Sequence, residues 1–444
     1  SRGLGDVYKR QMYEEIPKGV AFPESGEDIV SLVKQAAAKK WSITARSAGT
    51  SLAGQTTGDG LIIDVSKYMD KVLEWNIEER WVRVEPGIIR DQLNHMAATN
   101  DLLFGPDTAT TSRCMIGGMI GNNSAGMHSI KYGSTRNHIL EMEVVLSDGS
   151  KMIAKPLNSK QLEEKIALPN LEGHIYREII ELLTEHKEAI LSQYPHKEIK
   201  RRNTGYALDA LCEMSPITDG GRSFNLCELL AGSEGTLAMT ISAKLNLEEI
   251  PRYKCMIIPH FRSIEDAMHA TVEVVKKNPS AVELIDDIIL DATKNNLKQV
   301  ENRFFLRQAP KCILVIQFDG DNRVTMFKKA RELAKHLENE FCAYACVELF
   351  ESDEIQRVWD LRKAGLGLLM GLGKESRTPA FCEDTAVRVK DLPDYVKDIE
   401  TILDKHDTHC VFYAHASVGE LHFRPMIDTT SIEGVTKMKQ MAQE

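Results

Sequence analysis

The sequence has no CxxC pair among its nine cysteines, which stand at positions 114, 212, 227, 255, 312, 342, 346, 382 and 410. That scatter excludes a disulfide framework and a cysteine-built zinc or iron–sulfur site, and it reads as reduced, buried thiols of a cytosolic protein. A long hydrophobic run is missing too. The longest uncharged apolar stretch, "AGLGLLMGLG" (364–373), is too short to cross a bilayer and predicts part of a buried helix. No positively charged start followed by an apolar stretch marks a secretory signal. Positive charge is in the minority: Lys and Arg number 55 against 65 Asp and Glu, for a net charge of -10, and no basic cluster points to a nucleic-acid partner. Low-complexity tracts are absent. What remains, 43% hydrophobic and 27% charged over 444 residues, describes a globular chain of two or three domains.

The opening residues, "SRGLGDVYKRQ", lack apolar periodicity and resemble adaptor-derived sequence, so residues 1–12 are set aside as artefactual or disordered. Regular patterning starts near Tyr13. "EDIVSLVKQAAAKK" carries a helical stripe at Ile29, Leu32, Val33, Ala36 and Ala37. "WSITAR" and "LIIDVS" predict strands, "KVLEWN" and "RWVRVEPG" a hairpin, "IRDQLNHMAATN" a helix, and "LEMEVVLSDGSKMIAKPL" two strands about an Asp-Gly turn. Residues 160–222 read as helical and charged. From about Glu249 the texture changes to strand–helix–strand units, "KCMIIPHF", "SIEDAMHATVEVVKK", "AVELID" and then "KCILVIQF", "VTMFKKARELAKHLE", "AYACVELF". That alternation predicts a separate α+β domain with an antiparallel sheet, and a boundary near residue 248.

Three glycine-dense segments stand out in the first part. "ARSAGTSLAGQ" offers Arg46, the hydroxyls of Ser47, Thr50 and Ser51, and main-chain N–H groups with little side chain in the way. Consecutive N–H groups in a concave loop hold phosphate only where bulky β-substituents are missing. Neither a GxGxxG fingerprint nor a GK[ST] phosphate loop is present. "IGGMIGNNSAG" (116–126) and "GSEGTLA" (232–238) add two more such runs, which suggests one extended ligand lying against several backbones.

"ARSAGTSLAGQ", "PGIIRDQLN", "GPDTATTSRCMIGGMIGNNSAG", "KYGSTRNHI" and "GSEGTLAMTISAKL" occur in this order and resemble the FAD-binding domain of the vanillyl-alcohol-oxidase superfamily, in the glycolate oxidase and D-lactate dehydrogenase branch. The resemblance implies an α+β fold: a two-subdomain FAD-binding domain over 13–248, then an α+β substrate domain over 249–444. It implies that Arg46, Ser47, Ala48, Gly49, Thr50 and Ser51 wrap the FAD pyrophosphate. Pro106, Asp107, Thr110, Gly117, Gly118, Gly121, Asn122, Asn123, Ala125 and Gly126 would run along the rest of the cofactor, with Gly235 and Thr236 on a third side. Some relatives attach flavin through a histidine in the first loop; Thr50 in "AGTS" implies non-covalent FAD.

"YAHASVGELHFRPMID" places His415 and His422 seven residues apart, so that two short strands joined by a turn can bring both imidazoles to one point. With "AVELID", "VWDLRKAG" and "FCEDTAVRVKDLP" this matches the FAD-linked oxidase C-terminal domain, whose usual motif is HxGDGNxH. Here "HASVGELH" keeps the histidines and replaces the centre, as in the flavin half of bacterial FAD-binding and iron–sulfur-binding fusion oxidoreductases. The resemblance makes His415 and His422 ligands of a divalent metal such as zinc, gives His422 and Arg362 catalytic roles with Arg362 on the substrate carboxylate, and leaves Lys374 and Arg377 as weaker candidates for a second acidic group. A further glutamate ligand and the base belong to a "GEHG" motif that this chain does not contain, which implies truncation at the C-terminus.

The expected activity is oxidation of a D-2-hydroxy acid of the lactate, glycolate or 2-hydroxyglutarate type by hydride transfer to flavin N5. Electrons would pass to an iron–sulfur domain or subunit absent from this chain, a quinone or a carrier. The expected location is the cytoplasm, with the inner face of the cytoplasmic membrane reachable through the acceptor. Two alternatives stay open: an FAD-binding electron-relay subunit without substrate turnover, and a flavin reductase of the cell-wall precursor type.

Overall fold

The computed structural model describes residues 13–203, 205–369, 378–382 and 384–444. The chain divides into two units. The first holds residues up to 126, 132–195 and 203–250; the second holds 127–131, 196–202 and 251–444. The 1–12 segment lies outside the described residues.

Strands β1 (Gly19–Ala21), β2 (Ile43–Arg46) and β3 (Leu61–Asp64) form a parallel sheet in the order β1-β3-β2. Between β1 and β2 runs the helix Gly26–Lys39, capped by Ser25, whose side chain accepts from the Asp28 N–H. Ile29, Val33 and Ala36, part of the predicted stripe, are the residues it buries. Then come β4 (Val72–Asn76), β5 (Trp81–Val84), the two-residue β6 (Leu102–Leu103), β7 (Ile139–Val145), β8 (Lys151–Ala154), β9 (Met239–Asn246) and β10 (Glu248–Glu249). Five of them make an antiparallel sheet in the order β4-β5-β9-β7-β8, while β10 pairs with β6. The helix Leu171–Gln193 lends Tyr176 and Leu183 to the core beside this sheet.

The second unit is built on a seven-stranded sheet of β11 (Tyr253–Phe261), β12 (Ala281–Asp286), β13 (Cys312–Gly320), β14 (Ala345–Leu349), β15 (Thr385–Ala386), β16 (Cys410–His415) and β17 (Glu420–Pro425). Its order is β14-β11-β13-β12-β16-β17-β15 and every pairing is antiparallel. The central strands are apolar on both faces because both are covered. One face meets the helices Ile264–Val275, Arg323–Glu340 and Leu392–Lys405 through Leu284, Leu314, Phe412 and Ala414. The other meets the helix Ser352–Leu369 through Ile285, Val315, Val411 and Tyr413. That helix contains the start of the "AGLGLLMGLG" stretch, whose last residues lie outside the described ones. Six cysteines are buried, but Cys342 is exposed and Cys346 and Cys382 are half-buried, so the expectation of uniformly buried thiols is corrected; all nine are free.

Candidate functional site

In the first unit the three glycine-dense segments come together. Gly49 sits in the left-handed region at φ 64, where a β-carbon would also fall 2.9 Å from Arg46 Nη2. Arg46 is buried and its Nη1 donates to the Thr56 carbonyl at 3.0 Å, closing the loop from inside. Asn122 Nδ2 donates to Ser51 Oγ at 2.7 Å, tying the second segment to the first. Gly118 lies so near Ser47 that a β-carbon would stand 2.5 Å from its Oγ. The third segment joins through the N–H groups of Gly232 and Glu234, which donate to the carbonyls of Ile120 and Gly121, each at 2.9 Å. Gly235 faces Ala45 of β2, 3.0 Å from where its own β-carbon would be.

Other residues of these segments are committed to holding the loops. A β-carbon on Gly126 would stand 1.4 Å from the Asp107 carbonyl oxygen, and one on Gly117 2.7 Å from Pro86 Cβ. Asn123, fully buried, accepts from the Arg136 N–H at 2.8 Å and donates to the Asn203 carbonyl at 3.3 Å. The Pro106 carbonyl accepts from Arg90 Nε at 3.0 Å, Asp107 and Ala125 are buried, and Thr110 Oγ1 lies 3.2 Å from Thr108 Oγ1. Thr236 Oγ1 donates to the Ser233 carbonyl at 2.6 Å and lies 2.8 Å from the Tyr206 hydroxyl. Ala48 and Thr50 are half-buried in the first loop. Hydroxyls and main-chain N–H groups on residues of little bulk are the donor chemistry that a phosphate requires, so the segments fit a phosphate-bearing cofactor.

The second unit gathers the other candidates. β16 and β17 form a hairpin in which Tyr413 pairs with His422 and His415 with Glu420. Cross-strand partners share a face and side chains alternate with period two, so all four fall on one side of the sheet. The turn is made by Gly419 at φ 77, where a β-carbon would lie 2.0 Å from the Val387 carbonyl. The two imidazoles stand edge to face with centroids 5.0 Å apart, and Tyr413 stacks on His422 at 4.5 Å. One ligand atom each from His415, Glu420 and His422 lie within 4.8 Å of one another, a nitrogen and carboxylate donor set that fits a divalent transition metal.

Around that triad is a shell of charge. Glu283 on β12, 0% exposed, reaches His415 Nδ1 with one oxygen at 2.7 Å and Arg362 Nη2 with the other at 2.8 Å. Arg362 is buried, at 6% exposure, rather than on the surface, and its guanidinium lies 5.1 Å over the Tyr413 ring. Its Nε is buried without a hydrogen-bond partner among the described residues. Asp384 Oδ1 lies 2.6 Å from His422 Nδ1, and Arg201 Nε lies 2.5 Å from Glu420 Oε2. Asp384 is exposed; crowding by the protein on its inner side pushes its carboxyl up, but close contact with His422 and the charges of His422, Arg201 and His415 outweigh that and hold it at about 2. The sequence analysis singled out Arg362, His415 and His422, which the structure brings together, and did not single out Glu283, Glu420, Asp384 and Arg201, which lie around them. Glu420 stood in plain view inside "HASVGELH". Lys374 and Arg377 lie outside the described residues.

Among the described residues no helix is long and apolar enough to cross a membrane. The chain is 31% identical over 98% of its length to a D-2-hydroxyglutarate dehydrogenase of Haemophilus influenzae and covers 43% of that protein. It is likewise 31% identical over 94% of its length to a D-2-hydroxyglutarate dehydrogenase of Pseudomonas putida, covering 42% of it. The chain thus spans less than half the length of these two relatives. An alkyldihydroxyacetonephosphate synthase shares its fold, with a TM-score of 0.61 and 16% identity over 95% of this chain and 70% of that one. A family model of the FAD binding domain matches residues 17–153, and one of the C-terminal domain of FAD linked oxidases matches residues 250–444. FAD is the cofactor of the first of these domains. The chain thus carries an FAD binding domain followed by the C-terminal domain of the FAD linked oxidases.

Proposed function

We propose that this chain oxidises a D-2-hydroxy acid to the 2-oxo acid, with FAD held non-covalently by the three segments around Arg46–Ser51, Pro106–Gly126 and Gly235–Thr236. The domain limits we propose are 13–248 for FAD and 249–444 for substrate. The observation that carries the reading is the buried Arg362, whose Nε has no hydrogen-bond partner among the described residues, beside a His415–Glu420–His422 triad. When bound, FAD supplies the hydride acceptor, and a divalent ion such as zinc supplies the positive charge that lowers the pKa of the substrate hydroxyl. The residues of the chain do the placing. Arg362 grips the substrate carboxylate, its planar fork matching both oxygens. His415, Glu420 and His422 hold the ion, and the stacking of Tyr413 on His422 fixes that ring. The carbon-bound hydrogen leaves as hydride and the hydroxyl proton goes to a general base. Electrons then pass to an iron–sulfur module, a quinone or a carrier, and the setting we propose is the cytoplasm, on the inner membrane face where the acceptor requires it.

Anaerobic addition of D-2-hydroxyglutarate, D-lactate or glycolate should bleach the flavin. Flavin that stays oxidised with all three, in protein that holds FAD, would overturn the reading and leave an electron-relay role. Acid precipitation should release the flavin into the supernatant; yellow pelleted polypeptide would mean a covalent bond.

A further inference from the structure

We infer that Glu283 is the positioning residue that joins substrate binding to metal binding in this site. The inference rests on the reading of Arg362 and His415 given above and goes beyond it by naming the group that aligns them. Its grounds are geometric. Glu283 sits on β12 in the middle of the seven-stranded sheet, 0% exposed. A carboxylate there costs several kcal/mol of desolvation unless it is paired. Both its partners are residues of the proposed site: His415 at Oε1 and Arg362 at Oε2. β12 lies next to β16 with Leu284 opposite Ala414 and Ile285 opposite Tyr413, so the antiparallel register brings Glu283 level with His415.

The consequence for His415 is a fixed tautomer. In the tautomer that donates Nδ1–H to Glu283, Nε2 is the nitrogen that binds an ion. His422 Nδ1 lies 2.6 Å from Asp384 Oδ1, so a carboxylate stands beside each ring. The consequence for Arg362 is a fixed fork. Glu283 Oε2 forms an ion pair with Nη2 at 2.8 Å, and Nε is buried without a hydrogen-bond partner among the described residues. One carboxylate therefore sets the direction of both groups.

Glu283→Gln tests this in the full-length flavoprotein. Zn2+ affinity is read by competition with a chromogenic chelator, FAD content by absorbance, and kcat and KM with D-2-hydroxyglutarate. The expected result is a 10- to 100-fold loss of Zn2+ affinity and a raised KM, at unchanged FAD content. Zn2+ affinity within twofold of the parent would overturn the inference. A parent that takes up no Zn2+ would instead overturn the metal reading, so the parent's own titration tells the two failures apart. The glutamine variant leaves Arg362 without a counter-charge and can lose its fold for that reason. In that event Arg362→Gln is compared with Arg362→Gln/Glu283→Gln, where the same loss of Zn2+ affinity is expected and equal affinities would overturn the proposal.

Discussion

Gly419 shows how one residue without a side chain fixes several with one. It turns the β16–β17 hairpin at φ 77, and its own carbonyl accepts from the Val387 N–H at 3.0 Å. A methyl group at this position meets the Val387 carbonyl oxygen at 2.0 Å, so alanine faces both a disfavoured conformation and a collision with backbone. Gly419→Ala should destabilise the second unit by about 3 kcal/mol or more, measured by urea unfolding, and should weaken Zn2+ binding because His415 and His422 flank the turn. Arg362 makes the complementary case. Arg362→Lys keeps a positive charge near Glu283 but loses the planar fork. KM for the hydroxy acid should rise on the order of tenfold with a smaller fall in kcat, measured with an artificial electron acceptor. Near-parent KM would mean that the carboxylate is bound elsewhere.

At the scale of elements, the part legible in the sequence is the part that depends on local period. The helical stripe of Ile29, Val33 and Ala36, the Asp-Gly hairpin at Asp148 and Gly149, and the strand–helix alternation after Glu249 all needed only neighbours to be read. "HASVGELH" was legible for the same reason, since both histidines belong to one hairpin. Glu283 was not, because its partner His415 lies 132 residues away and the link is a strand register. A glutamate inside "AVELID" looks like one charged residue in an apolar strand until β12 is set beside β16. The same strand ends in a second buried carboxyl, Asp286, which caps the helix Asp287–Ala292 through the Ile289 N–H at 3.0 Å and accepts from the Phe412 N–H at 2.7 Å. Burial dominates those bonds and pushes its carboxyl up to about 7. The folded state therefore holds this proton where the unfolded chain has released it. Stability contributed by the group is full below about pH 4, declines as pH rises to about 7, and is flat above; a three-unit shift is on the order of 4 kcal/mol. Urea unfolding at pH 5 and pH 8 should show that decline, and Asp286→Asn should flatten it. The opposite slope comes from His260, buried with Nδ1 on the Ile258 carbonyl and Nε2 beside the Arg307 N–H. Burial lowers its pKa below the usual 6.5, so its stabilising share is present above 6.5 and is lost as pH falls through that value.

For the whole molecule, the relevant fact is that each unit has cores of its own. Val82, Phe104, Ile116 and Leu245 belong to one, and Leu284, Leu314, Phe412 and Phe423 to another, with no shared member. The two proposed ligands are divided in the same way, FAD among segments of the first unit and the divalent ion among β12, β16 and β17 of the second. A ligand that binds only folded protein stabilises what it binds by RT ln(1 + [L]/Kd), about 2.7 kcal/mol at a hundredfold excess over Kd. For folding units of 150–250 residues that is roughly 5–10 °C in melting temperature. Calorimetry of flavin-depleted, chelator-treated protein should therefore show two transitions, FAD raising one and Zn2+ the other. Glu283→Gln should abolish the Zn2+ shift at low metal concentration and leave the FAD shift in place. One transition that both ligands raise together would mean that the units unfold as a single body, and the separate assignment of the ligands would then have to rest on direct binding measurements.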